Sequence, residues 1–404
     1  MSPHINRPVP EAYQYFPLNE PLIGSYITEV KKDIKDNTVP ALFRPLEMKG
    51  MEFKNRIFVA PMCQYSADRG HATDWHFVHI GGFATRGAGA ICMEATAVVP
   101  EGRIAPEDLA KPLRRIVNFC HAQGAKIGIQ LAHAGRKAST HAPWVQRRAG
   151  HGTSYTAATD ENGWPDNVLG PSDLSFSETY PCPRAMSEED MDDVVRAFVF
   201  AVERCKSAGF DFIEIHAAHG YLLHSFVSPL SNVRDDQYGG QPLENRLRFP
   251  LRVVEACRRA WGKPLWVRIS ACDWAEGPEQ DESGTWKQWG IEQSKIFVGE
   301  MKKLGVDLID ASSGGNWVNQ SIPLKHGYQV HFAEALKQAH PSLVISTVGL
   351  ITDPLEANSY IESGKADVIS LARELLRTPH WPLHAAKELG VTVKAANQYE
   401  RAWQ

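Results

Sequence analysis

From Ala41 onward, short apolar, β-branched runs alternate with longer stretches in which apolar positions recur every three or four residues. The first pattern predicts strands and the second amphipathic helices. Eight runs read as strands: Ile57 to Ala60, Ala90 to Ala95, Lys126 to Leu131, Phe212 to His216, Leu265 to Ser270, Leu308 to Ser312, Val344 to Val348, and Val368 to Leu371. Between them lie helical stretches such as Ser187 to Ser207. There Met191, Val194, Val195, Phe198, Val199 and Val202 repeat at helical spacing behind a Ser-Glu-Glu-Asp capping box. Strand and helix in regular alternation predict an α/β fold, a single (β/α)8 TIM barrel over residues 41–404. Two segments break the rhythm. Residues 1–40 are Pro-rich and polar without sustained periodicity and read as an N-terminal arm. Residues 133–185, after the third strand, are far longer than an ordinary connection and read as an excursion on the active face.

Composition narrows the function classes. Hydrophobic residues make up 43% and charged residues 22% of the 404, which excludes a disordered chain and provides for a large core. The formal charge of −4 leaves no electrostatic footprint for a nucleic-acid backbone or an anionic membrane, so the expected partner is a small molecule. The seven cysteines lack CxxC spacing and cannot all pair, which argues against a disulfide framework or a Cys-rich metal site and fits a reducing compartment. No apolar run approaches the roughly 20 residues of a membrane span, and the opening MSPHINRPVPEAYQYF lacks signal-peptide character. The chain reads as cytoplasmic.

Candidate chemistry gathers at strand ends. The fourth strand runs FIEIHAAHGY, with period two placing Glu214 and His216 inside the barrel and His219 and Tyr221 in the loop beyond. Imidazoles donate hydrogen bonds to a carbonyl or nitro oxygen, and a tyrosine delivers a proton at neutral pH. The other readings are structural histidines with satisfied hydrogen bonds or, weakest, a metal site shared with His133. In the fifth strand, LWVRIS, Arg268 faces inward, either in an internal ion pair with Glu214 or as a cation stabilising developing negative charge. Gln130 ends the third strand as a core amide or a ligand donor. Gly349, Ala372 and Arg373 follow strands seven and eight, where barrels bind phosphate, although a glycine there also serves as a simple turn former. The first strand ends in Pro61, Met62, Cys63 and Tyr65; the thiol is core filler or touches a redox-active ring.

These segments carry a resemblance. NRIFVAPMCQYS, EATAV, IGIQLAHAGRK, GFDFIEIHAAHGYLLHSFVSPLSNVRDDQYGG, ENRLRF, VRIS, GVDLIDASSG, ISTVGLI, ARELLR and QYERAW together resemble the old yellow enzymes, FMN-containing ene-reductases, in their thermophilic-like class III branch. The resemblance implies bound FMN and a nicotinamide co-substrate, NADPH or NADH with NADPH favoured, for reduction of enones or nitroalkenes by a ping-pong mechanism. It implies Ala60, Pro61, Met62, Cys63, Ala95, Gln130 and Arg268 around the flavin ring and Gly349, Ala372 and Arg373 around its phosphate. His216 and His219 would bind the activating oxygen, Tyr221 would give the proton, Tyr65 would touch substrate, and Lys137 would lie near the flavin or the lid. Arg401, in a C-terminal tail over 391–404, would reach a neighbouring subunit's site in a homodimer or dimer of dimers, and no metal is implied. The segment 142–184 is longer than in compact bacterial members, which leaves open a dedicated biosynthetic reductase or isomerase of the same family; a barrel metallohydrolase is the remote alternative.

Overall fold

The computed structural model describes residues 19–27, 39–103, 114–149 and 155–403. Eight parallel strands close a barrel in chain order: β1 (Ile57–Val59), β2 (Ala90–Ala97), β3 (Lys126–Ala132), β4 (Phe212–Ala217), β5 (Leu265–Ser270), β6 (Leu308–Ser312), β7 (Val344–Thr347) and β8 (Val368–Leu371), with β8 pairing back onto β1. The principal helices are α1 (Asp74–Ala84), α2 (Arg114–Ala122), α3 (Glu188–Ala208), α4 (Leu243–Ala260), α5 (Ile291–Lys303), α6 (Val330–Ala339), α7 (Pro354–Glu362) and α8 (Trp381–Glu388). All eight expected strands form, differing from the sequence reading by at most two residues at an end. The capping box at α3 forms as read: Ser187 Oγ accepts from the Asp190 amide, and the helix stops at Gly209 in the left-handed region.

Alternation along each strand separates two cores. Ile213 and Ile215 of β4 point outward with Val267 and Ile269 of β5 into the helix-facing core, whereas Phe212 and Trp266 point inward. The inward residues nearest the strand starts make an aromatic floor in which the rings of Phe212 and Trp266 stack at 3.6 Å and those of Phe58 and Trp266 at 5.3 Å. Gly128 of β3 is what lets this floor close, because a Cβ there would stand 2.1 Å from the Phe212 ring. A hairpin absent from the sequence reading, Leu46–Met48 against Met51–Phe53, seals the floor from below and adds Met48 and Phe53 to it. With its N-terminal end plugged, the barrel presents only its C-terminal mouth to a ligand.

The described residues of the excursion after β3 carry secondary structure of their own. They hold a helix, Pro143–Ala149, several short 3-10 turns, and a parallel pairing of Leu169–Gly170 with Arg184–Ala185. Arg234, from the loop after β4, donates to the carbonyls of Pro171 and Met186 at 2.8 Å each and ties the excursion to the barrel. Of the N-terminal arm, residues 19–27 lie against the C-terminal segment, with Tyr26 bridged to Val393 and the Gly24 amide on the Lys394 carbonyl. Residues 1–18 and 28–38 of that arm lie outside the described residues.

Candidate active site at the barrel mouth

Three elements bring His216, His219 and Tyr221 together. His216 ends β4, buried, in register with Arg268 of β5. Its Nδ1 accepts the Ala218 amide at 3.2 Å, which places the ring proton on Nε2 and makes that nitrogen a donor. His219 sits in the left-handed region at φ 60°, held by Ser270 Oγ on its amide and by Lys137 Nζ on its carbonyl. Its Nε2 meets Ser312 Oγ at 2.8 Å. The His216 ring stands perpendicular to both His219 and Tyr221, at 5.2 and 4.9 Å between ring centres. Burial first, and the Arg268 charge second, hold both imidazoles well below their ordinary pKa. They are therefore neutral hydrogen-bond donors at pH 7 and not Brønsted acids.

Lys137 enters from the excursion. Its Nζ donates to the carbonyls of His219 and Gly315, and it lies 4.1 Å from the Phe176 ring centre and 5.6 Å from that of Tyr221. Burial, with a smaller push from Arg136, lowers its pKa to about 7. It links the excursion to the Tyr221 loop, the second of the two locations the resemblance implied.

Beneath the imidazoles lies a polar layer. Gln130 Nε2 donates to Glu214 Oε1 at 2.7 Å, and Arg268 Nε lies 3.1 Å from Asp310 Oδ2. The ion partner read for Arg268 was Glu214. The structure pairs it with Asp310, on the adjacent strand β6 in register with Arg268, and leaves Glu214 two residues lower, beside Trp266. Burial opposes the charge on Arg268, but Asp310 and then Glu214 outweigh it and raise its pKa. With one N–H of Gln130 donated to Glu214, its second N–H and its carbonyl oxygen are left for a ligand.

The remaining candidates surround this centre. Ala60 and Ala95 are buried small side chains; Pro61, Met62, Cys63 and Tyr65 are half-buried in the segment after β1. Glu94, which the sequence reading assigned no role, fixes that segment by accepting from the Gln64 amide at 2.5 Å while contacting His76 at 3.0 Å. Tyr65 is in the left-handed region, its ring met edge-on by Trp144 of the excursion helix at 5.5 Å. After β7 and β8 a cleft opens, lined by Ser312, Gln329, Gly349, Ser370, Ala372 and Arg373. Gly349 has φ 128°, and a Cβ there would press Gln329 Nε2 at 2.9 Å. Arg401 is exposed on the C-terminal 3-10 turn. Among the described residues, no group of three or more His, Cys, Asp or Glu is arranged to hold a metal ion.

The donor set fits FMN. The cleft offers close backbone approach and a guanidinium that would suit a phosphate, Ala60 and Ala95 are small enough to admit a flat ring, and Arg268 is a buried cation that would suit the negative charge of a reduced flavin.

Known proteins agree. The profile of the NADH:flavin oxidoreductase / NADH oxidase family matches residues 41–391. The NADH:flavin oxidoreductase FG08077 of Gibberella zeae is 42% identical over 399 residues, covering 96% of this chain and 92% of its own. An NADPH dehydrogenase of Geobacillus sp. is 42% identical over 372 residues, covering 90% and 98%. Among solved structures, morphinone reductase superposes with a TM-score of 0.67 at 25% identity, covering 88% of this chain and 91% of its own. The chain thus belongs to the NADH:flavin oxidoreductase / NADH oxidase family, the FMN-containing old yellow enzymes, and is an NAD(P)H-dependent flavin oxidoreductase.

Proposed function

We propose that the enzyme reduces the activated C=C bond of α,β-unsaturated carbonyl or nitro compounds, with both half-reactions passing through one pocket at the barrel mouth. The observation that carries this reading is the perpendicular arrangement of two neutral imidazoles with Tyr221, with His216 in register with Arg268. Bound FMN supplies the redox chemistry, taking a hydride from reduced nicotinamide and giving it to the β-carbon of the alkene. His216 Nε2 donates to the carbonyl or nitro oxygen and stabilises the enolate-like charge as it develops. His219 joins it by exchanging its Ser312 contact for the same oxygen. Since both imidazoles are neutral, the proton for the α-carbon comes from the phenol of Tyr221. Lys137, against the Tyr221 ring, stabilises the phenolate left behind.

Ala60, Pro61, Met62, Cys63, Ala95, Gln130 and Arg268 would hold the ring, and Gly349, Ala372 and Arg373 the phosphate. Tyr65, with Trp144 against it, forms one wall of the substrate pocket. The exposed Arg401 suits a residue presented to a neighbouring subunit of a homodimer or dimer of dimers. The cysteines are thiols, in keeping with a reducing, cytoplasmic setting. The deciding test is Tyr221→Phe: flavin reduction by NADPH should stay at the wild-type rate while reoxidation by cyclohexenone slows. Slowing of the first half alone would contradict the assignment.

A further inference from the structure

Two buried carboxylates face one guanidinium inside the barrel. Glu214 (1% exposed) and Asp310 (2%) both lie next to Arg268, and with both ionised the layer carries one uncompensated negative charge. The other neighbours add no cation: His216 on β4 is neutral, Tyr328 beyond β6 is a phenol, and the rest are Cys92 on β2, Gln130 on β3, Ser346 on β7 and Ser370 on β8. Hydrogen bonding is incomplete as well. Glu214 Oε1 accepts from Gln130, whereas Asp310 Oδ1 and Arg268 Nε are both buried without a hydrogen-bond partner. A proton on one carboxylate cancels the surplus charge.

We propose that the Glu214–Asp310 pair takes up one proton from water when the cofactor above Arg268 is reduced. The ring gains two electrons and one proton from the nicotinamide as a hydride, and so one negative charge. Arg268, until then shared by two carboxylates, must also neutralise that charge. The paired carboxylates respond by binding one proton, –COO⁻ plus H⁺ giving –COOH, with Glu214 the holder. Its pKa is already pushed up to about 8, by burial first and by Asp310 second, and burial raises that of Asp310 too. A route for the proton exists: Ser370 lines the cleft after β8 and hydrogen bonds Ser346 at 2.7 Å, and the Ser346 hydroxyl lies against Asp310. Glu214 and Asp310 are thus positioning residues that act on the cofactor through Arg268 and Gln130. A protonated pair keeps the guanidinium available to the reduced ring and makes reduction easier.

This inference rests on the ring lying beside Arg268, and its test separates the two claims. The midpoint potential of the bound flavin in the full-length holoenzyme is followed from about pH 6 to about pH 10, and its slope gives the protons bound per electron pair. Below about pH 8 the pair is protonated in both redox states and the count is one; above it the count should rise toward two. In Glu214→Gln and in Asp310→Asn, each leaving one carboxylate for one guanidinium, it should stay at one. Identical counts in wild type and both variants would overturn the proposal. Should the variants fail to fold or lose flavin, infrared difference spectra of the wild type near pH 9 decide instead. Reduction should there convert a carboxylate band to a carboxylic-acid C=O band, and its absence would overturn the proposal. A protein that binds no flavin shows no visible redox signal at all, which would defeat the functional reading rather than this one.

Discussion

His216 is the residue on which most of the chemistry converges: its Nδ1 is committed to the backbone, its Nε2 proton faces the mouth, and its ring orders both His219 and Tyr221. Replacing His216 or His219 by alanine should lower alkene turnover by about 10²–10³, the usual cost of losing a donor aimed at developing oxyanion charge, with little change in flavin content. Rates within a factor of two of wild type would remove them from the site. The same burial predicts a pH effect on stability. Unfolded histidines titrate near pH 6.5, about where the chain begins to bind protons that native His216 and His219 refuse. The unfolded state then holds more protons, so this contribution is complete above about pH 6.5 and is lost progressively as pH falls. Thermal unfolding of the wild type should shift down from pH 7 to pH 5 more steeply than that of a His216→Gln/His219→Gln double variant. Parallel curves would show that the two rings are charged in the native state.

Strands and turns were read from the chain more easily than contacts across it. The eight strands announced themselves because each is a β-branched run buried on both faces, and α3 because its apolar stripe follows a capping box. The floor hairpin escaped notice because each of its strands, Leu46–Met48 and Met51–Phe53, has three residues, too few to display a period. The Arg268 partner was misjudged for a related reason. Alternation says that Asp310 points inward but not that its register brings it level with Arg268, whereas Glu214 lies two residues lower. Glu94 was hidden by the irregularity between Met93 and Ala95, which breaks the period-two rule where it would have been informative. Two element-level predictions follow from these contacts. Phe53→Ala, opening the aromatic floor, should cost about 3–5 kcal/mol in denaturant unfolding, and a loss under 1 kcal/mol would show that the hairpin is an ornament. Gly349→Ala, at φ 128° and with its methyl pressing Gln329 in the cleft after β7, should weaken FMN retention on dialysis while leaving the barrel folded by circular dichroism. Unchanged retention would separate the turn from the phosphate.

At the scale of the whole molecule, the described residues form a barrel plugged at one end and covered in part by the excursion at the other, and the proposed reaction would pass both substrates through that one mouth. Exchange through a single mouth is what a ping-pong mechanism requires, and it predicts parallel double-reciprocal lines for NADPH and cyclohexenone; intersecting lines would imply separate binding places. Arg401, exposed beyond α8, should matter only in the assembled enzyme: Arg401→Ala should raise the KM for the enone and leave flavin content intact. Each of these expectations presupposes a flavin that the nicotinamide reduces and the alkene reoxidises. The most direct measurement is therefore the visible spectrum of the purified protein under anaerobic titration. The flavin band should bleach with one equivalent of NADPH and return on addition of cyclohexenone. A band that bleaches but does not return with any enone or nitroalkene would contradict the proposed reaction, and a colourless protein that takes up no added FMN would contradict the site itself.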